Sequence, residues 1–253
     1  MVENDATEAG NEGNIQVPLG EVWESFHIEG HKVGFMRRIT SAAEQPGLLI
    51  TRLHVMFFAQ GGIANFEHEF TFYDQAGYPP HAYLFDTNNG APVHVRFSGS
   101  SMVCQVDEEV FTESIPPDAR PTYGYYPHVV TMPFSAGYRM PFTPIIDSSC
   151  TVQDRSALVG RGWENVSIGD KTMRLWLVAE ETGGRLGNRY WLDEKRRIRQ
   201  SNWQGAMSYW APGRAEALAG LPTALIEYVQ ESFDTADESD WTAEIVEWLS
   251  ENQ

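Results

Sequence analysis

Short stretches of alternating apolar and polar residues, separated by glycine, asparagine and proline turns, fill the chain from residue 21 to about 210. A period of two puts every second side chain on one face, the mark of a half-buried β-strand. In Glu21–Glu29, Val22, Phe26 and Ile28 alternate with Glu21, Ser25 and His27, and a turn at Gly30-His31-Lys32 leads into Val33–Ile39, predicting a hairpin. Leu48–Ala59 is apolar on both faces and breaks at Gly61-Gly62, while Asn65–Asp74 sets Phe66, His68, Phe70 and Phe72 against Glu67, Glu69 and Thr71. Gly77-Tyr78-Pro79-Pro80 turns the chain again. Asn88-Asn89-Gly90 then joins His81–Thr87 to Val93–Ser98, a strong hairpin signal because Asn-Gly tolerates positive φ at both central positions. Ser101–Val106 and Val110–Ser114 form a further pair, and strands resume at Thr151–Val159, Trp163–Ile168, Lys171–Glu180, Arg189–Leu192 and Ile198–Ser208.

Residues 115–146 interrupt this series. Pro116, Pro117, Pro121, Pro127, Pro133, Pro141 and Pro144 are interleaved with Tyr123, Tyr125, Tyr126, Phe134, Tyr138 and Phe142. Prolines this dense remove ladder donors and predict a loop rather than a central strand or long helix. The aromatics predict that the loop is functional or packs as a lid. Helix is expected only late, as a short turn at Arg214–Ala219 and a final helix capped by Ser239 or Asp240. The pattern predicts a mainly-β (α+β) single domain, a curved antiparallel meander or open half-barrel of about 10–12 strands with a short C-terminal helical segment. Its expected organisation is a flexible acidic lead-in over 1–19, a β domain over 20–210, and an acidic helical segment over 211–253 packed on the sheet.

Charge changes the picture less than the net −17 suggests. Four acids lie in residues 1–19 and nine between Glu227 and the end, with no lysine or arginine in either stretch, leaving 22 acidic against 18 basic residues in the body. Such ends solvate well or dock on a basic partner, and nucleic-acid binding is not expected without a basic surface. No apolar run reaches the roughly 20 residues of a membrane span. The N-terminus has neither a basic nor an apolar leader region, so the expected location is cytoplasmic. Cys104 and Cys150 lack C-x-x-C spacing and read as small buried hydrophobes.

Glu21-Val22-Trp23 followed by Gly30-His31-Lys32-Val33-Gly34, the turn Gly77-Tyr78-Pro79, and late Arg189-Tyr190-Trp191-Leu192-Asp193-Glu194 with Arg197-Ile198 carry a resemblance. Over roughly residues 21–210 the chain resembles poorly characterised bacterial proteins with a curved β half-barrel sheet, related in shape to lipoprotein-carrier domains. The resemblance implies a fold and supplies no catalytic residues. Members of that group are often exported.

The familiar nucleotide, zinc-protease, serine-hydrolase and calcium-loop signatures are missing. The candidate chemistry is polar residues planted in apolar strands. Glu67 and Glu69 share one face with His68 on the other, a pattern for holding a cation, for acid–base work or for a solvated outer face. Arg52 and His54 share the face of Ile50, Met56 and Phe58, and Arg174 that of Trp176, so each charge must be paired or line a polar cavity. In the return strand, Arg199, Ser201 and Trp203 oppose Gln200, Asn202 and Gln204. Tyr123, Tyr125, Tyr126 and His128 of the proline-rich loop either cover a sheet edge or close a ligand site. Two functions follow as expectations. One is a small-molecule-binding half-barrel for an apolar or aromatic ligand, acting if an enzyme as a cofactor-independent lyase, isomerase or cyclase. In it His54, Glu67, His68 and Glu69 serve as acid–base groups, and Arg52, Arg174, Trp176, Tyr123, Tyr125, Tyr126 and Trp203 bind the ligand, with no metal or cofactor. The other is a protein-interaction module, a homodimer or a docking partner for a basic protein, using the acidic C-terminal helix.

Overall fold

The computed structural model describes residues 15–59, 62–88 and 90–235. The lead-in up to residue 14 and the final helix expected from Ser239 or Asp240 lie outside these residues.

The first arm of the sheet is β1 (Gly20–Ile28), β2 (His31–Ala42), β3 (Leu48–Ala59), β4 (Gly62–Tyr73), β5 (Pro80–Thr87), β6 (Val93–Ser98), β7 (Ser101–Val106) and β8 (Glu109–Ser114). After β9 (Ala119–Pro121) and α1 (Tyr126–Thr131) comes the second arm. It comprises β10 (Arg139–Ile146), β11 (Thr151–Val152), β12 (Ser156–Ile168), β13 (Lys171–Thr182), β14 (Arg185–Leu192), β15 (Ile198–Trp203) and β16 (Ala206–Ala211), followed by α2 (Arg214–Leu218) and α3 (Thr223–Thr235). Each arm is a hairpin meander. They join in mid-sheet, where β1 pairs antiparallel with β16 through Trp23 opposite Ala211 and Ile28 opposite Ala206. The result is one open, mainly antiparallel sheet of sixteen strands ending at β8 and β11, with β9 added parallel to β10.

The sheet curls so that both arms share an inner core. Phe70, Tyr83 and Val95 of the first arm pack in one cluster with Leu158, Val178 and Tyr190 of the second. The proline-rich segment lies between them. Tyr125, Val129 and Val130 belong to this core, and Tyr123, Tyr126 and Phe134 pack against it, so the segment is an interior plug. On the outer face, Ala217, Leu221, Leu225 and Val229 cover Trp23, Phe35 and Met56. No helix among the described residues is long and apolar enough to cross a membrane.

Three differences from the sequence reading have local causes. The stretch read as two strands around Gly160–Gly162 is the single strand β12, which absorbs the glycines as a bulge. Conversely, Ile198–Ser208 is a hairpin, because Gln204 (φ 55°) and Gly205 (φ 118°) both take positive φ and reverse the chain. Within the proline-rich segment, β10 carries Pro141 and Pro144 because its partners change midway, from β12 at residues 139–142 to β9 and β11 beyond. Pro127 sits in the first turn of α1, where no N–H is needed. The split into β15 and β16, with β9, β10 and β11, takes the count above the 10–12 strands expected. Residues 223–235 form α3, which the alternation did not announce.

Candidate functional site

On the inner face, strands from both arms and the plug line a pocket of about 180 Å³. Phe26 of β1, Met36 of β2, Leu53, Val55 and Phe57 of β3 and Phe66 of β4 form one side, with Trp203, Ala206 and Tyr123 completing it. Phe26 and Phe57 form the floor, and Gly34 sits in the sheet beside this lining. It stands in register between Phe26 and Phe57, whose ring centroids meet 5.3 Å apart. A Cβ there would overlap the Met56 carbonyl oxygen and lie 2.6 Å from Phe57 Cα. Glycine therefore lets β2 and β3 approach and the two rings close over the gap.

The two aromatic walls are held by buried polar groups. Tyr123 stacks on Phe85 (5.5 Å, 8° between planes) and contacts Phe66 at 4.9 Å. Its backbone N–H donates to Asp147 Oδ2 at 3.1 Å, and the Thr122 hydroxyl donates to the same oxygen. Asp147 Oδ1 lies 2.8 Å from His68 Nε2, with side-chain exposures of 0% and 1%. The two atoms make a close polar contact off the line of the ring N–H, since neither forms an aligned hydrogen bond. Burial, with the Asp147 carboxylate adding to it, pushes the Tyr123 phenol up to about 12.

Trp203 packs edge-on to Tyr190 at 5.5 Å and donates its indole N–H to Ser201 Oγ at 2.9 Å. The Ser201 and Ser208 hydroxyls share a hydrogen bond, and Ser208 donates to Glu24 Oε2. Arg38 Nη1 donates to Glu24 Oε1 at 3.2 Å, both side chains being buried. The Arg38 guanidinium also sits 4.4 Å from the Tyr126 ring centroid, a cation–π contact. Glu24 and Arg38 thus pair with each other inside the sheet, and the pocket lining carries no charged side chain.

The residues singled out from sequence divide between the two faces. Tyr123 and Trp203 come together in the pocket. Tyr125 is a core residue with its ring edge-on to Phe142 at 4.6 Å, and its buried hydroxyl has no hydrogen-bond partner among the described residues. Trp176 is core as well, 5.6 Å from Trp163 and 5.3 Å from Phe134. His68 is inside but does not line the pocket. Arg52, His54, Glu67 and Glu69 lie on the outer face, because strand alternation sends them opposite to Leu53 and His68. There Arg52 Nε meets Glu69 Oε2 at 2.5 Å and His54 contacts Glu67, each opposite the other across β3 and β4. Arg174 is exposed at the rim, 5.3 Å over Trp163. Arg52, His54 and Arg174 therefore do not meet in one enclosed cavity, and Arg52 is the paired charge of the two alternatives. Of the three amides read as one face, Gln200 is buried, Asn202 is tied to Met207 and Gly205, and Gln204 stands in the turn.

Sequence reasoning missed Glu24, Arg38 and Asp147. Glu24 shares the face of Val22, Phe26 and Ile28, and a charge there is itself a signal of a buried pair. Asp147 closes the apolar run Ile145-Ile146, masked by the surrounding prolines.

Fold and pocket together define a β-barrel-like domain with an internal plug. Among solved structures the chain is similar to the β-barrel-like protein of domain of unknown function DUF1849 from Brucella abortus. That match has a TM-score of 0.51 at 9% identity, over 78% of this chain and 97% of that one, and it shows the fold. A DUF1089 family protein from Pseudomonas aeruginosa aligns over 76% of this chain and 94% of its own with a TM-score of 0.31 and 13% identity, which carries no argument. The half-barrel shape implied by the sequence resemblance agrees with the first. No family model and no curated protein matches the sequence.

Proposed function

We propose that the protein binds a small organic molecule in the inner-face pocket between Tyr123 and Trp203. The observation that supports this reading is the lining itself, apolar or aromatic from both arms and the plug, around about 180 Å³. Such a concave, mostly apolar site with few polar groups is the general form of a small-ligand pocket. Binding rather than turnover is the reading, because the acid–base candidates do not meet there. His54, Glu67 and Glu69 face outward, and His68 is sealed behind Leu53 and Tyr123 with Asp147. Calorimetric titration with ethylbenzene tests it. Saturable one-to-one binding is expected in the wild type and its loss in Ala206→Phe, which fills the pocket. A wild type that takes up no neutral arene overturns the reading.

A further inference from the structure

The pocket's size and its one available polar group narrow the ligand class, an inference that rests on the binding reading above. A dry cavity of about 150 Å³ holds a benzene ring, so this half-open pocket of about 180 Å³ has room for one ring with a small substituent. Of the polar termini in the lining, the Trp203 indole N–H is already given to Ser201 Oγ. The thioether of Met36 is a weak acceptor. The Tyr123 hydroxyl makes no hydrogen bond to a described residue, whereas the backbone N–H of the same residue is fixed by Asp147. That leaves one phenolic donor in an otherwise apolar lining.

Charge is excluded by the same surroundings. The cation linked to the Trp203 wall through Ser201, Ser208 and Glu24 is Arg38, which is already bound to Glu24 and stacked on Tyr126. Behind the Tyr123 wall stands the Asp147 carboxylate, held by His68 and Thr122. An anionic ligand would leave water without a counter-charge and beside a carboxylate, and an unpaired buried charge is strongly unfavourable. A cationic ligand would find no free carboxylate in the lining.

We infer that the ligand is a neutral molecule of single-ring size bearing one hydrogen-bond acceptor, a carbonyl or ether oxygen, which takes the proton of the Tyr123 hydroxyl. The acceptor group occupies the extra volume and the ring packs between Phe66 and Trp203. The high pKa of the phenol keeps it protonated as a donor across the physiological range.

Three probes of similar size decide this by calorimetry: acetophenone, ethylbenzene and benzoate. Wild type is expected to bind acetophenone about five-fold more tightly than ethylbenzene, the worth of one net hydrogen bond, and benzoate at least about a hundred-fold more weakly. Tyr123→Phe should bring the acetophenone-to-ethylbenzene affinity ratio from about five down to about one. If no probe binds, the pocket reading itself falls. If ethylbenzene binds as well as acetophenone, if benzoate competes with either, or if Tyr123→Phe keeps the preference, this inference falls and the pocket reading stands. Should Tyr123→Phe not fold, the ranking of the three probes on the wild type still decides.

Discussion

His68 Nε2 lies 2.8 Å from Asp147 Oδ1 in the interior, one residue from β4 and the other from the end of β10, and neither side chain reaches solvent. The contact ties the first arm of the sheet to the second. Through the other carboxylate oxygen, Asp147 also fixes Thr122 and Tyr123 of the plug.

Removing one member should therefore cost far more than a surface pair. Removing one partner of a buried polar contact costs about 1–3 kcal/mol, because the group left behind stays buried without that partner. Asp147→Ala and His68→Leu are each expected in that range in urea unfolding, with the double variant costing less than the sum. Additive losses under about 1 kcal/mol would show that the pair does not hold the arms together.

Gly34→Ala should destabilise through crowding rather than through a cavity. The added methyl overlaps the Met56 carbonyl, and overpacking of a well-packed interior costs about 1–3 kcal/mol. It also lifts the Phe26–Phe57 floor, so ligand binding should weaken further than stability alone explains. Unchanged melting and unchanged ethylbenzene affinity would refute this role.

His128 makes acid stability pH-dependent. It is buried and accepts a hydrogen bond from Arg120 Nε at 3.2 Å, and burial, then the Arg120 charge, lowers its pKa from 6.5 to about 3. Below pH 6.5 the unfolded chain takes up a proton that the folded one refuses. Stability should thus fall as pH drops from 6.5 toward 3, by up to about 1.4 kcal/mol per pH unit. His128→Gln keeps an acceptor for Arg120 without titrating, so relative to wild type it should gain about 2 kcal/mol between pH 7 and pH 5. Parallel pH profiles for the two proteins would contradict this assignment.

Glu180 acts in the opposite sense. Burial raises its carboxyl pKa, and only the Asn188 N–H, at 3.4 Å, offsets this. A raised folded pKa means that ionisation costs stability above the unfolded pKa and costs nothing below it. Glu180→Gln should raise the melting temperature at pH 7, with the gain fading toward pH 4. A loss at neutral pH would mean that the carboxylate is needed as a charge.

The sequence by itself determined most of the strands, several hairpin turns and the open mainly-β architecture, because a period of two and turn residues with positive φ are local properties. It also marked Tyr123 and Trp203, since large aromatics beside prolines and amides stand out without any fold. Only the tertiary structure decided which face of each strand is inside. That decision sent Arg52, His54, Glu67 and Glu69 to the outer face, although the alternation had already grouped them. It also decided that the two meanders join through β1 and β16, that the proline-rich segment is an interior plug, and that Asp147 meets His68 79 positions earlier in the chain. Those outcomes depend on contacts between residues far apart in sequence, where local periodicity carries no information, and the pocket exists only because such contacts bring Tyr123 and Trp203 against β1 to β4.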